Sequence, residues 1–163
     1  MKVVAVFTTF CFLGLYIQGT LIKAVAPAAI VPDFIVVLLI FLALNYPTLS
    51  GLVGAFVLGL AADFASAVFL GPNAAGAILC FGLTVFISKK IYAENFVALG
   101  MLTVLGSLVK TGTVVLLLAL YAHVNALAGV VSYMFIEALL TGIVAPPTIK
   151  LLYFAKRRVK TKL

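Results

Sequence analysis

Two carboxylates and one ammonium lie where hydrocarbon is expected: Asp63, Glu137 and Lys110 each sit inside a long apolar run. An ionisable side chain in such a setting has two uses. It can relay ions or protons, or it can fasten helices through a charge-assisted hydrogen bond. An isolated charge near the bilayer centre costs about 2.5 to 3.5 kcal/mol on insertion scales, so each of these groups must pair, be neutralised or face a cavity.

Their spacing favours the fastener. Gly51, Ala55, Gly59, Asp63 and Ala67 recur every fourth residue, which puts them in one row on a helix. Small residues in such a row let a second backbone approach closely, so Gly51, Ala55, Gly59, Asp63 and the neighbouring Ser66 form a candidate packing or partner surface. Gly129, Tyr133, Glu137, Thr141 and Ala145 form a similar row, and Thr103, Ser107, Lys110 and Thr111 share one side of a third helix. At 1.5 Å per residue, Asp63 lies about 20 Å and Lys110 about 21 Å from the cytoplasmic ends of their helices, with Glu137 about 15 Å from the outer end of its own. Asp63, Lys110 and Glu137 are therefore expected to form an intramembrane polar network in which Lys110 bonds to Asp63 or Glu137. Two acids against one base leave a charge over, so one carboxyl is neutralised or a partner helix supplies a donor.

Helices must hold these groups, and the composition supplies them. Hydrophobic residues make up 66% of the 163, against eleven Lys or Arg and four Asp or Glu, which marks a membrane protein and leaves no room for a water-soluble domain. Apolar runs reach the roughly 20 residues that cross about 30 Å of hydrocarbon. Six segments are expected, over 3–22, 33–46, 50–70, 74–88, 96–122 and 127–153, with Pro146-Pro147 bending or breaking the last. The fold class is all-α, a polytopic membrane helix bundle of about six transmembrane helices. One transmembrane domain covers 1–154, and 155–163 form a basic cytoplasmic tail. The first segment is longer than the 7 to 15 apolar residues usual in a signal peptide, despite Ala24-Val25-Ala26 resembling a cleavage site, so it is read as a span.

Lys2, Lys89, Lys90 and the tail bases Lys156, Arg157, Arg158, Lys160 and Lys162 fall on one side of a six-span layout, opposite Lys23. The positive-inside bias then puts both termini in the cytoplasm. Clustered bases of this kind suit membrane lipid rather than nucleic acid, which would need a basic soluble face.

Other candidates have plainer uses. Pro32-Asp33 suits the first turn of a helix, where proline needs no hydrogen bond and an acid meets the dipole, and capping explains it as well as ligand binding does. Cys11 and Cys80 lie in membrane segments without metal-ligand spacing, and His123 has no Cys, His or acid suitably placed beside it. No catalytic, cofactor-binding or metal-binding motif occurs, so no catalytic residue, cofactor or metal is assigned.

The stretch GLVGAFVLGLAADFASAVFLGPNAA, with Gly54, Gly59, Asp63, Ser66 and Leu70-Gly71, resembles the MreD family, small membrane subunits of the bacterial cell-elongation (Rod) complex. Pro32-Asp33 opening the second span, Gln18 in the first, and the ending APPTIKLLYFAKRRVK also resemble the family, while Ala67 stands where its glycine usually follows the serine. The motif residues carried over are Pro32, Asp33, Leu70 and Gly71.

The resemblance implies a non-enzymatic scaffold in the bacterial inner membrane that binds MreC directly. It works in one complex with MreB, RodA and a class B penicillin-binding transpeptidase, supporting lateral peptidoglycan synthesis and rod shape; self-association is left open. The implied fold is similar to the S components of energy-coupling-factor transporters, which makes a vitamin-binding transport subunit the alternative. The missing A-x-x-x-A row on the first helix, the absence of Trp and the short outer loops favour the scaffold.

Overall fold

The computed structural model describes residues 31–66, 70–89, 95–122 and 127–160. Over these it is all-helical: α1 (Phe34–Asn45), α2 (Leu49–Ser66), α3 (Pro72–Ser88), α4 (Phe96–Ala122) and α5 (Leu127–Lys160). The expected first span with Cys11 and Gln18, the outer Lys23, and His123 lie outside the described residues. Three helices contain stretches long and apolar enough to cross a membrane: Leu49–Ser66, Phe96–Leu120 and Ser132–Phe154.

The second expected segment, 33–46, is helical over Phe34–Asn45, with Asp33 and Tyr46 as its caps. Its helix, α1, has 12 residues and is therefore about 18 Å long, short of the roughly 30 Å of hydrocarbon. The run FIVVLLIFLALN is apolar on every side, and a helix of that kind belongs in an interior. Residues 35–43 are all buried, and α1 packs against α2, α3, α4 and α5. It is the core around which the longer helices stand.

Helix α1 runs parallel to α5. The Asp33 N–H donates to Thr141 Oγ1 at 2.9 Å, and twelve residues further along both helices Asn45 Nδ2 donates to Tyr153 Oη at 3.2 Å. The Tyr153 ring also meets Phe41 edge-on, with centroids 5.3 Å apart. Helix α4 runs the other way, and Lys150 Nζ of α5 lies 4.8 Å from the centre of the Phe96 ring at its start.

Helix α5 continues through Pro146 and Pro147 instead of breaking there. At 34 residues it is about 51 Å long and runs into the expected basic segment as far as Lys160. Helix α2 is described as far as Ser66, and α3 begins at Pro72.

Small residues set the close crossings. A Cβ on Gly59 would lie 2.5 Å from the Ala74 Cα of α3, and one on Gly142 would collide with Val104 of α4. The row Gly51, Ala55, Gly59 and Asp63 is buried, with Gly51 against the Phe81 ring and Gly59 against the α3 backbone. That surface is thus turned into the bundle; Ala67 is outside the described residues. Gly59→Ala is expected to force α2 and α3 apart and cost about 1 to 3 kcal/mol, the range for overpacking. Thermal unfolding in nanodiscs measures it, and an unchanged midpoint would remove Gly59 from the packing account.

A candidate polar node at mid-depth

Every helix has first-turn N–H groups that its own carbonyls cannot satisfy, and inside a membrane no bulk water replaces them. Among the described helices, two starts are met by a buried aspartate.

The first is the start of α1. Pro32 brings no N–H, and Asp33 caps the helix by accepting from the Ile35 N–H through Oδ1 at 2.9 Å. Its other oxygen, Oδ2, accepts a hydrogen bond and ion pair from Lys110 Nζ of α4. Its backbone N–H reaches Thr141 of α5, whose hydroxyl donates in turn to the Glu137 carbonyl at 2.7 Å. Asp33, Lys110 and Thr141 are all buried, so one aspartate joins α1, α4 and α5. The negative carboxylate also sits at the positive end of the α1 dipole.

This corrects the expected pairing of Lys110 with Asp63 or Glu137. The expectation placed Asp33 at the outer surface, as the opening residue of a full span. Because α1 is only about 18 Å long, Asp33 lies at nearly the depth that Lys110 reaches, about 21 Å along α4. The shorter helix brings the acid to the base.

Asp63 serves the second buried start. Its Oδ2 accepts from the Gly71 N–H at 2.9 Å and the Ala74 N–H at 3.1 Å, and its Oδ1 from the Asn73 N–H at 2.9 Å and Asn73 Nδ2 at 3.1 Å. Pro72 has no N–H, and the Ala75 N–H goes to the Gly71 carbonyl at 2.9 Å. The opening donors of α3 are thereby fully satisfied, mostly by an acid eight to eleven residues upstream. Gly71 makes the turn with φ of 121°, a conformation that glycine takes readily and other residues rarely do. Ser66 Oγ donates to the Asp63 carbonyl at 2.9 Å, tying off the end of α2, and Leu70 stays exposed.

Asp63 and Lys110 are therefore separate fasteners, one for the α2–α3 turn and one for the α1–α4–α5 seam. Glu137 is partly buried one turn from Thr141, and its carboxylate makes no hydrogen bond among the described residues. Spacing indicated neither Asn73, which supplies two of Asp63's donors, nor Thr141 as an acceptor. The signal available for Asn73 was the string LGPN itself, a positive-φ glycine, a proline at the first helical position and a side chain suited to turns.

Cys80 is a free, buried thiol, and no group of His, Cys, Asp or Glu among the described residues could hold a metal ion. Among the described residues, Asp33, Asp63 and Lys110 satisfy helix ends and neutralise charge.

A family model described as "rod shape-determining protein MreD" matches residues 1–155. No curated protein and no solved structure matches the chain significantly.

Proposed function

Because the chain belongs to the MreD family of rod shape-determining membrane proteins, we propose that it is a non-enzymatic scaffold of the Rod complex that holds the membrane helix of MreC. MreB, RodA and a class B penicillin-binding transpeptidase complete the assembly in which lateral peptidoglycan synthesis takes place. The protein is a multi-pass component of the bacterial inner membrane with both termini cytoplasmic. Residues up to 154 form its membrane domain, and the bases of α5 and the following residues lie at the cytoplasmic face.

The observation that carries this reading, beside the family match, is the use made of Asp33, Lys110 and Asp63. A transport pathway needs intramembrane ionisable groups that can exchange partners with a substrate or ion. Here these three hold helix starts and helix seams. Such a bundle suits rigid presentation of its outer faces, on which a partner helix must gain affinity from close packing and polar contacts, since lipid is as apolar as the partner.

The test is twofold. MreC is expected to co-purify with the tagged protein from membranes, and depletion is expected to turn rods into spheres. Saturable vitamin binding by the purified chain, with neither of those outcomes, would replace the scaffold with the transport subunit.

A further inference from the structure

Hydroxyls in an apolar helix usually bond to the carbonyl one turn back. Thr84, Thr103, Thr113, Thr141 and Thr148 all do so, at 2.7 to 2.8 Å. Ser107 does not. It is 1% exposed, and its Oγ is the buried side-chain polar atom without a hydrogen-bond partner among the described residues.

Its position follows from its neighbours on α4. A Cβ on Gly106 would meet Cys80 of α3 and Ile40 and Val36 of α1, whereas Gly100 faces the Gly142 carbonyl of α5. With about 100° per residue, Ser107 lies between those two directions, in the same α1–α4–α5 seam as Asp33 and Thr141. Lys110 is one turn further along on the same side, where residues three apart are neighbours.

Lys110 is itself incompletely satisfied. An ammonium has three N–H donors, and among the described residues only Asp33 Oδ2 accepts from it. An unused donor set and an orphan hydroxyl thus face one seam, both buried. Either deficit alone is destabilising, and a water with two to four polar partners removes both.

We propose that an ordered internal water occupies this seam, accepting from Lys110 Nζ and bonded to Ser107 Oγ, with the free lone pairs of Asp33 and Thr141 within the same polar lining. The water completes the shell of the ammonium at mid-depth and makes Ser107 a fourth member of the node. The site concerns the bundle itself and does not depend on MreC.

Removing a hydroxyl that has no partner relieves a penalty, whereas removing one that holds a water creates a deficit. Ser107→Ala is therefore expected to lower the thermal midpoint in nanodiscs by about 2 to 4 °C. The same substitution in an Asp33→Asn/Lys110→Met background, which lacks the ammonium, is expected to lower nothing. An unchanged or raised midpoint in the otherwise native protein, or equal losses in both backgrounds, overturns the proposal. Solid-state NMR of the unaltered protein in bilayers gives a second readout. Gly106-Ser107 is the one Gly-Ser pair in the chain, so Ser107 can be assigned by pairwise labelling. A water-to-Ser107 polarisation transfer is expected, and its absence likewise overturns the water site.

Discussion

Lys110→Met is expected to destabilise the folded protein by about 3 to 5 kcal/mol, while Asp33→Asn/Lys110→Met recovers most of that loss. The single change leaves the Asp33 carboxylate buried without its cation, at 1% exposure and with no bulk water to turn to. In the double variant the asparagine still caps α1, because its side-chain oxygen can accept from the Ile35 N–H as Asp33 does now. Methionine fills much the same volume as the lysine stem without a charge. The control is Asp63→Asn/Lys110→Met, whose two losses are expected to add, since Asp63 bonds to the α2–α3 turn and Lys110 to Asp33. Equilibrium unfolding in mixed micelles measures the native protein, the three single variants and the two doubles. Additive losses for Asp33 and Lys110 together would mean that the pair contributes nothing as a pair.

The second large effect belongs to Asp63. Asp63→Ala strands the N–H groups of Gly71, Asn73 and Ala74 and the Asn73 side-chain amide. A lost cap costs about 0.5 to 2 kcal/mol and each buried donor left unpaired about 1 to 3, so the total is expected to reach about 3 kcal/mol or more, even with some donors rescued by water. Asp63→Asn is expected to fall between, because one oxygen remains to accept while the amide nitrogen opposes the donors it replaces. The damage should be local: hydrogen exchange at Asn73, Ala74 and Ala75 should accelerate well before that of α1, whose first-turn donor is met by Asp33 instead. Uniform acceleration throughout the bundle would show that Asp63 has a wider role than closing the α2–α3 turn.

The two aspartates also explain how far sequence reasoning reached. The small-residue row through Gly51, Ala55 and Gly59 was legible because helical spacing alone puts every fourth residue on one face. Whether that face was internal or shared was not legible, since a partner helix and a neighbouring helix of the same chain ask for the same residues. The buried contacts with Phe81 and Ala74 turn it inward. The acid in the row was correctly marked as needing donors, but depth arithmetic favoured Lys110 when backbone N–H groups were the answer. Backbone donors are present at every residue and so leave no mark in a sequence.

The polar node was missed for a related reason. Hydropathy marks 33–46 as an apolar membrane segment, but says nothing of the depth at which it starts. Only the fold shows what stands at its start: four other helices bury α1, and Asp33 meets Lys110 and Thr141 there.

Sequence by itself determined that this is an apolar helical membrane protein, which positions in it demand partners, and, through motifs over nearly its whole length, its kinship with MreD. Those properties are additive along a chain: each residue contributes its own transfer free energy, and helical periodicity orders the faces. Only the tertiary structure decided who the partners are, because pairing depends on lateral placement and on where a helix begins, and both emerge from packing between segments far apart in sequence. A carboxylate announces that it needs a donor; the fold decides whether a lysine 77 residues away or the first turn of the next helix provides it.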